Sequence, residues 1–272
     1  MRPNQTIVRN EWLCFKSDLH IDLKTFALLE VLDTMSAPKC ALVLSSLPNE
    51  LLEAIVVAGQ EDRVTDSNWQ TQFGTFKSEW TLSHVSRRFR NVIVGAPALW
   101  TLAEADLDVE GSAEILKLYL DRSQGYKISA TLRSDSKVAH YDILLRRLNP
   151  LVHHINRIWR LRMMVVLREE WGAAMLVPFR DGAAPYLQRL EIVNNLIEGD
   201  NWGIQMFCSG APRLSFLRVD GFKFELPAAP WAAPLTHLEL RRSTRYLDPA
   251  NVRNLVAVTM QCHSLVHFCT ST

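Results

Sequence analysis

A surplus of charge of either sign is missing: 30 Lys and Arg stand against 29 Asp and Glu, a formal net charge of +1 over 272 residues. A chain that neutralises a phosphate backbone needs a marked basic excess. Nucleic acid is therefore excluded as the main partner. The short basic runs Arg87-Arg88 with Arg90, Arg146-Arg147 and Arg241-Arg242 read as solvated faces. Cysteine is sparse. Cys14, Cys40, Cys208, Cys262 and Cys269 are odd in number, widely spaced and without a CxxC pair, which suits a reducing compartment rather than a disulfide framework. The 11 glycines do not cluster, and neither a G-x-x-x-x-G-K-[ST] phosphate loop nor a GxSxG nucleophile elbow occurs. No apolar run approaches the ~20 residues needed to span a bilayer. The opening MRPNQTIVRNEWLCFKSD lacks the apolar core and small-residue cleavage site of a secretory signal. These absences lead us to expect a cytoplasmic or nuclear protein with no membrane segment, no cofactor and no catalytic set.

What is present is apolar bulk, 48% of the chain, enough for a sizeable core. Leu19, Leu23, Phe26 and Leu29 recur at helical spacing, predicting a helix over 18–35. LSSLPNELLEAIVVAG reads as a second helix. Pro48 sits in its first turn, where a missing N–H costs nothing. Leu47, Leu51, Leu52, Ile55 and Val56 form its apolar stripe, and Gly59 stands as its stop. Residues 60–76 are polar and aperiodic, and read as a loop. Leu82, Val85, Phe89 and Val92 then predict one helix over 78–94, ended by Gly95-Ala96-Pro97. Further on, EILKLYL predicts a helix after Gly111. KISATL predicts a strand with Ile128, Ala130 and Leu132 on one face, and 138–155 have helical periodicity.

Self-similarity organises the rest. Ala184-Pro185-Tyr186-Leu187-Gln188-Arg189-Leu190-Glu191-Ile192 and Ala211-Pro212-Arg213-Leu214-Ser215-Phe216-Leu217-Arg218-Val219 share the form APxLxxLx(I/V). Ala233-Pro234-Leu235-Thr236-His237-Leu238-Glu239-Leu240 repeats it with one residue fewer between Pro and Leu. Weaker copies begin at Ile158 and Leu265. Aligned on the first apolar residue, the copies follow one another at intervals of 29, 27, 21 and 30 residues, in or near the leucine-rich-repeat range. LxxLxL places alternate strand side chains in a shared core, and one unit cannot bury its apolar face unless neighbours stack on it. The charged residues in the x of LxL, namely Arg160, Arg162, Glu191, Arg218 and Glu239, should point outward on the concave sheet. They are the expected surface for a target protein.

Two groupings suggest metal chemistry and are set aside. Cys262, His263, His267 and Cys269 bracket a predicted strand, where they do not all share a face. His153-His154 lies at a helix end and reads as a capping or solvated pair. No metal site is expected.

The segment Leu47-Pro48, Leu51-Leu52-x-x-Ile55, Leu82-x-x-Val85-Ser86-Arg87-Arg88-Phe89-Arg90-x-Val92 and Pro97-x-Leu99-Trp100 closely resembles the F-box. Its two helices are separated by about 17 polar residues, an insert longer than a compact F-box carries but familiar in fungal F-box proteins. The later Leu116-x-Leu118-Tyr119-Leu120-Asp121-Arg122-Ser123 and the irregular leucine-rich copies are similar to the fungal group more loosely. The resemblance implies an α+β fold: residues 1–43 an extension with a helix, 44–101 an F-box-like helical module, 102–272 a short leucine-rich α/β array. It also implies docking on a Skp-type adaptor, and through it on a cullin ubiquitin ligase, with the array holding a substrate protein. Leu47, Pro48, Leu51, Leu52, Ile55, Leu82, Val85, Phe89, Leu99 and Trp100 would meet the adaptor. Each could equally serve the module's own core, with Pro48 and Trp100 the stronger interface expectations. The alternative is a leucine-rich interaction scaffold that engages no ligase.

Overall fold

The computed structural model describes residues 47–64, 77–134, 141–165, 172–194, 206–221, 234–241, 256 and 259–271. The extension 1–43 and its expected helix lie outside these residues. The chain divides into two compact units, Met1–Leu99 and Trp100–Thr272.

The first unit is helical among its described residues. α1 spans Asn49–Val64, α2 Ser78–Val85 and α3 Arg87–Gly95, and a 3-10 turn follows at Pro97–Trp100. Two expectations are corrected here. α1 does not stop at Gly59 but runs five residues further. The reason is tertiary. A Cβ at Gly59 would lie 2.8 Å from the Ser78 Cβ, so this glycine lets α2 approach. The next side chain, Gln60, is buried and donates to Glu79 Oε2 (3.0 Å) and to the Leu99 carbonyl (2.7 Å). The helix thus continues through Val64, and 65–76, expected to be a loop, lie outside the described residues. The predicted single helix over 78–94 is also broken, at Ser86, whose φ of −154° and ψ of 164° are extended. Its hydroxyl accepts the Phe89 N–H at 3.2 Å and caps α3.

The second unit is a mixed α/β array. Strands and helices follow as β1 Leu102–Asp106, α4 Ser112–Arg122, β2 Ile128–Ser134, α5 Tyr141–His153, β3 Ile158–Val165 and α6 Gly172–Arg180. β4 Arg189–Asn194, β5 Phe216–Asp220, β6 His237–Arg241 and β7 His267–Ser271 complete it. All seven strands are parallel and lie in sequence order, β1-β2-β3-β4-β5-β6-β7. β1 and α6 were not anticipated. β1 is short, and its core residues are only Ala103 and Ala105.

The strand register is the repeat alignment. Leu161, Leu190, Leu217, Leu238 and Phe268 pair across the sheet, as do Met163, Ile192, Val219, Leu240 and Thr270. Every member of these two rows from β3 to β6 is buried. Ahead of β4, β5, β6 and β7 the chain is pinned by the same backbone contact. Gln188, Ser215, Thr236 and Val266 donate to Trp159, Gln188, Ser215 and Thr236 carbonyls at 2.8 to 2.9 Å. The Ala-Pro signature marks a tight turn. Leu187 and Leu214 donate to Ala184 and Ala211 carbonyls at 3.1 and 3.0 Å, and Leu265 makes the same bond to Cys262 at 3.1 Å. Cys262 therefore occupies the small buried position of an alanine, and burial raises its thiol pKa.

Helical side chains close this core. α4 buries Leu116, Tyr119 and Leu120, and α5 buries Leu144, Leu148 and Leu151. Trp100 is fully buried. Its ring meets Tyr119 edge-on at 5.1 Å and lies 4.3 Å from the Arg122 guanidinium, whose pKa desolvation lowers.

Candidate protein-interaction surfaces

The helical module separates the ten residues that the F-box resemblance singles out. Leu52, Phe89 and Leu99 are buried, together with Val56 and Ile93, and form the unit's own core. Ile55, Leu82 and Leu47 are half-buried. Pro48 is exposed, Leu51 is 50% exposed and Val85 46% exposed. Trp100 corrects the expectation made for it, since at 0% exposure it belongs to the core of the second unit. Helix period alone could not make this distinction, because a stripe four residues wide has a centre and two margins. Val57, Trp80 and Val94 add exposed apolar surface that motif reasoning missed. Val85 is the last residue of α2, directly before the break at Ser86.

The start of α1 is tied down beside this surface. The Arg88 guanidinium donates to the Leu47 carbonyl and to Asn49 Oδ1, the latter at 3.2 Å. Leu51 and Leu52 both donate backbone N–H groups to the Pro48 carbonyl, at 3.2 and 3.3 Å. Pro48 and Leu51 are thus displayed from a fixed turn.

In the second unit, alternation along the strands sends one set of side chains to the core and the other to a polar face. The five charged residues expected on that face are all there; the register brings four of them into a single row, and Arg160 pairs with Arg189 in the next. Arg162, Glu191, Arg218 and Glu239 are successive cross-strand partners, so the signs alternate along the row. Thr131 precedes them on β2 and Cys269 follows on β7. Their exposure differs from the expectation, however. Arg160, Arg162 and Glu191 are buried; only Arg218 and Glu239 keep partial exposure.

The cause is an ion-pair cluster. Glu191 Oε1 accepts from Arg189 Nε at 2.8 Å, Arg162 Nε at 2.9 Å and Arg160 Nη2 at 3.3 Å. Further along, Arg218 lies 3.8 Å from Asp220 and 3.9 Å from Glu239, and Arg241 lies 3.4 Å from Glu239. These longer pairs are looser and wetter. The accessible part of the polar face therefore runs from Arg218 toward β7, while Arg160, Arg162 and Glu191 hold the sheet together.

A second row borders the first on the same face. Arg189, Phe216, His237 and His267 are successive partners, stacked with the guanidinium 3.8 Å from the Phe216 ring centre. Ring centres of Phe216 and His237 lie 6.0 Å apart and those of His237 and His267 5.7 Å apart. Arg189, Phe216 and His237 lie two positions before Glu191, Arg218 and Glu239 on their strands. The period of two that located Arg218 and Glu239 would have located them too.

Of the other aromatic residues in the array, Trp159 is half-buried; Trp171, Trp202, Phe222, Phe224 and Trp231 lie outside the described residues. His153 donates Nδ1–H to the Asn149 carbonyl at 2.8 Å, which is the helix-end role expected of it. Among the described residues no helix is long and apolar enough to cross a membrane, and no three His, Cys, Asp or Glu side chains are grouped to hold a metal ion. No protein-family model matches the chain, and neither a curated protein nor a solved structure matches it.

Proposed function

We propose that this chain is a non-enzymatic adaptor, the substrate-recognition subunit of a Skp–cullin–F-box ubiquitin ligase. Its helical module docks a Skp-type adaptor, and the polar face of its leucine-rich sheet holds a target protein. The observation that carries the reading is the split within the F-box-like motif. Leu52, Val56, Phe89, Ile93 and Leu99 already fill the module's core, yet Pro48, Leu51 and Val85 of the same motif remain exposed. A module with a complete core has no internal need for apolar side chains outside it, whereas a docking partner does. On the array, Arg218, Glu239, Arg241 and the His237–His267 row supply the accessible charged and aromatic groups for a target.

The burial of Trp100 favours the second reading, a leucine-rich interaction scaffold that engages no ligase, because it withdraws the motif's one tryptophan from any docking surface. The two readings separate in a binding assay with a purified Skp-type adaptor. The native chain binds under the adaptor reading, and Leu51→Asp abolishes binding while leaving the unfolding midpoint unchanged, since Leu51 is half exposed. A folded native chain that fails to bind leaves the scaffold reading.

A further inference from the structure

His237 is an exposed side chain held on three sides. Phe216 stacks on one face of its ring at 6.0 Å and 27°, and His267 lies on the other at 5.7 Å and 32°. Its Nδ1 is 2.9 Å from Thr236 Oγ1. That hydroxyl spends its own proton on the Ser215 carbonyl, at 3.0 Å. With that proton so placed, Thr236 Oγ1 accepts from the ring, which favours the tautomer protonated on Nδ1 and leaves Nε2 with the lone pair. A histidine whose other nitrogen is fixed by a hydrogen bond is the arrangement found where imidazole binds a metal. His267 is its direct register partner on β7 and is also exposed.

We propose that His237 and His267 form a two-imidazole site for a borderline divalent cation of the Zn2+ or Ni2+ type. The spacing of the two ring centres supports it. A metal–nitrogen bond of about 2.05 Å places each ring centre about 3.2 Å from the ion, and two such rings at a tetrahedral angle are about 5.2 Å apart. The observed 5.7 Å and 32° need a closure of roughly half an ångström together with rotation of both rings about χ2, which swings their lone pairs from the stack toward one ion. Zn2+ and Ni2+ suit imidazole better than Mg2+ or Ca2+, which take oxygen ligands. With two protein ligands the ion keeps water in its remaining positions, open to a donor from a bound protein. The bridge also ties β7 to β6. The site stands independently of the adaptor reading.

The test is calorimetric titration of NiCl2 into the full chain without an affinity tag. The expected result is saturable uptake of one ion, weakened at least tenfold by His237→Gln and by His267→Gln. Thr236→Val, which leaves both ligands in place, weakens it about tenfold through the lost tautomer lock, and Thr236→Ser restores it. Both imidazoles are exposed, so the variants keep the native unfolding midpoint. In the native chain the ion also slows amide exchange over 267–271. No uptake by the native chain overturns the proposal, as does uptake unchanged in the double His237→Gln, His267→Gln variant.

Discussion

Replacing Glu191 by Gln removes one charge from the centre of three guanidiniums. The carboxylate is 1% exposed, and the side chains of Arg160 and Arg162 are 5% and 3% exposed. Two of the three contacts are short, at 2.8 and 2.9 Å, and all converge on one oxygen. Breaking a buried pair by removing one partner costs about 3–5 kcal/mol, because the remaining charge has lost its compensation inside the protein. The amide is isosteric and keeps an acceptor, so about 3 kcal/mol is the expected loss. For a unit of this size that lowers the midpoint of its thermal transition by roughly 6–12 °C. Glu239→Gln is the control. Its side chain is 19% exposed and its arginines stand 3.4 and 3.9 Å away, so the loss should stay under about 1 kcal/mol. Urea unfolding followed by circular dichroism, with calorimetry to separate the transitions of the two units, measures both. Equal and small losses in the two variants would refute the claim that Glu191 holds β3 to β4.

Three further outcomes are expected. Ser86→Ala loses the cap of α3 and should destabilise the helical unit by about 1 kcal/mol in urea unfolding, with Ser86→Thr close to native. Gly221 has a φ of +76°, and a Cβ there would meet the Asn194 carbonyl oxygen at 2.4 Å; Gly221→Ala should cost at least about 2 kcal/mol by the same measurement. The pKa of His154 lies below its ordinary 6.5, first through desolvation and then through Arg157 and His153, with Asp121 opposing. The folded state thus prefers the neutral ring. Its contribution is full above that ordinary value and is lost as pH falls through the lower folded one. His154→Gln should flatten the fall in urea midpoint between about pH 7.5 and about pH 5; parallel curves for the two proteins would count against this role.

The array was legible because its information is local and repeated. Each Leu-x-x-Leu-x-Leu copy specifies a turn, a strand and a buried face, and stacking forces the copies into register. Pairing of Leu190 with Leu217 and of Leu217 with Leu238 follows from their equivalence in the sequence. β1 escaped because its core side chains are alanines, which carry little β signal. The break at Ser86 escaped for the opposite reason. Leu82, Val85, Phe89 and Val92 run through it at helical spacing, and the cap that marks a new start is a single hydroxyl inside an apparently continuous stripe.

Burial is where sequence reasoning loses purchase, and the two surfaces fail differently. On the polar sheet face, period and register placed Arg160, Arg162 and Glu191 on the correct side. Their mutual pairing then withdrew them from solvent, an effect of neighbours 29 to 31 residues away in the chain. On the helical module the motif named ten apolar residues, but α1 and α3 can bury only those that face one another. Leu51 and Leu52 are adjacent in sequence, yet one is half exposed and the other fully enclosed, because successive helical residues point about 100° apart. The F-box-like motif therefore contains two superposed patterns, one that closes the module and one that stays exposed on its surface. Under the proposed adaptor reading only the second would bear on function, and in this chain it reduces to the exposed Pro48, Leu51 and Val85.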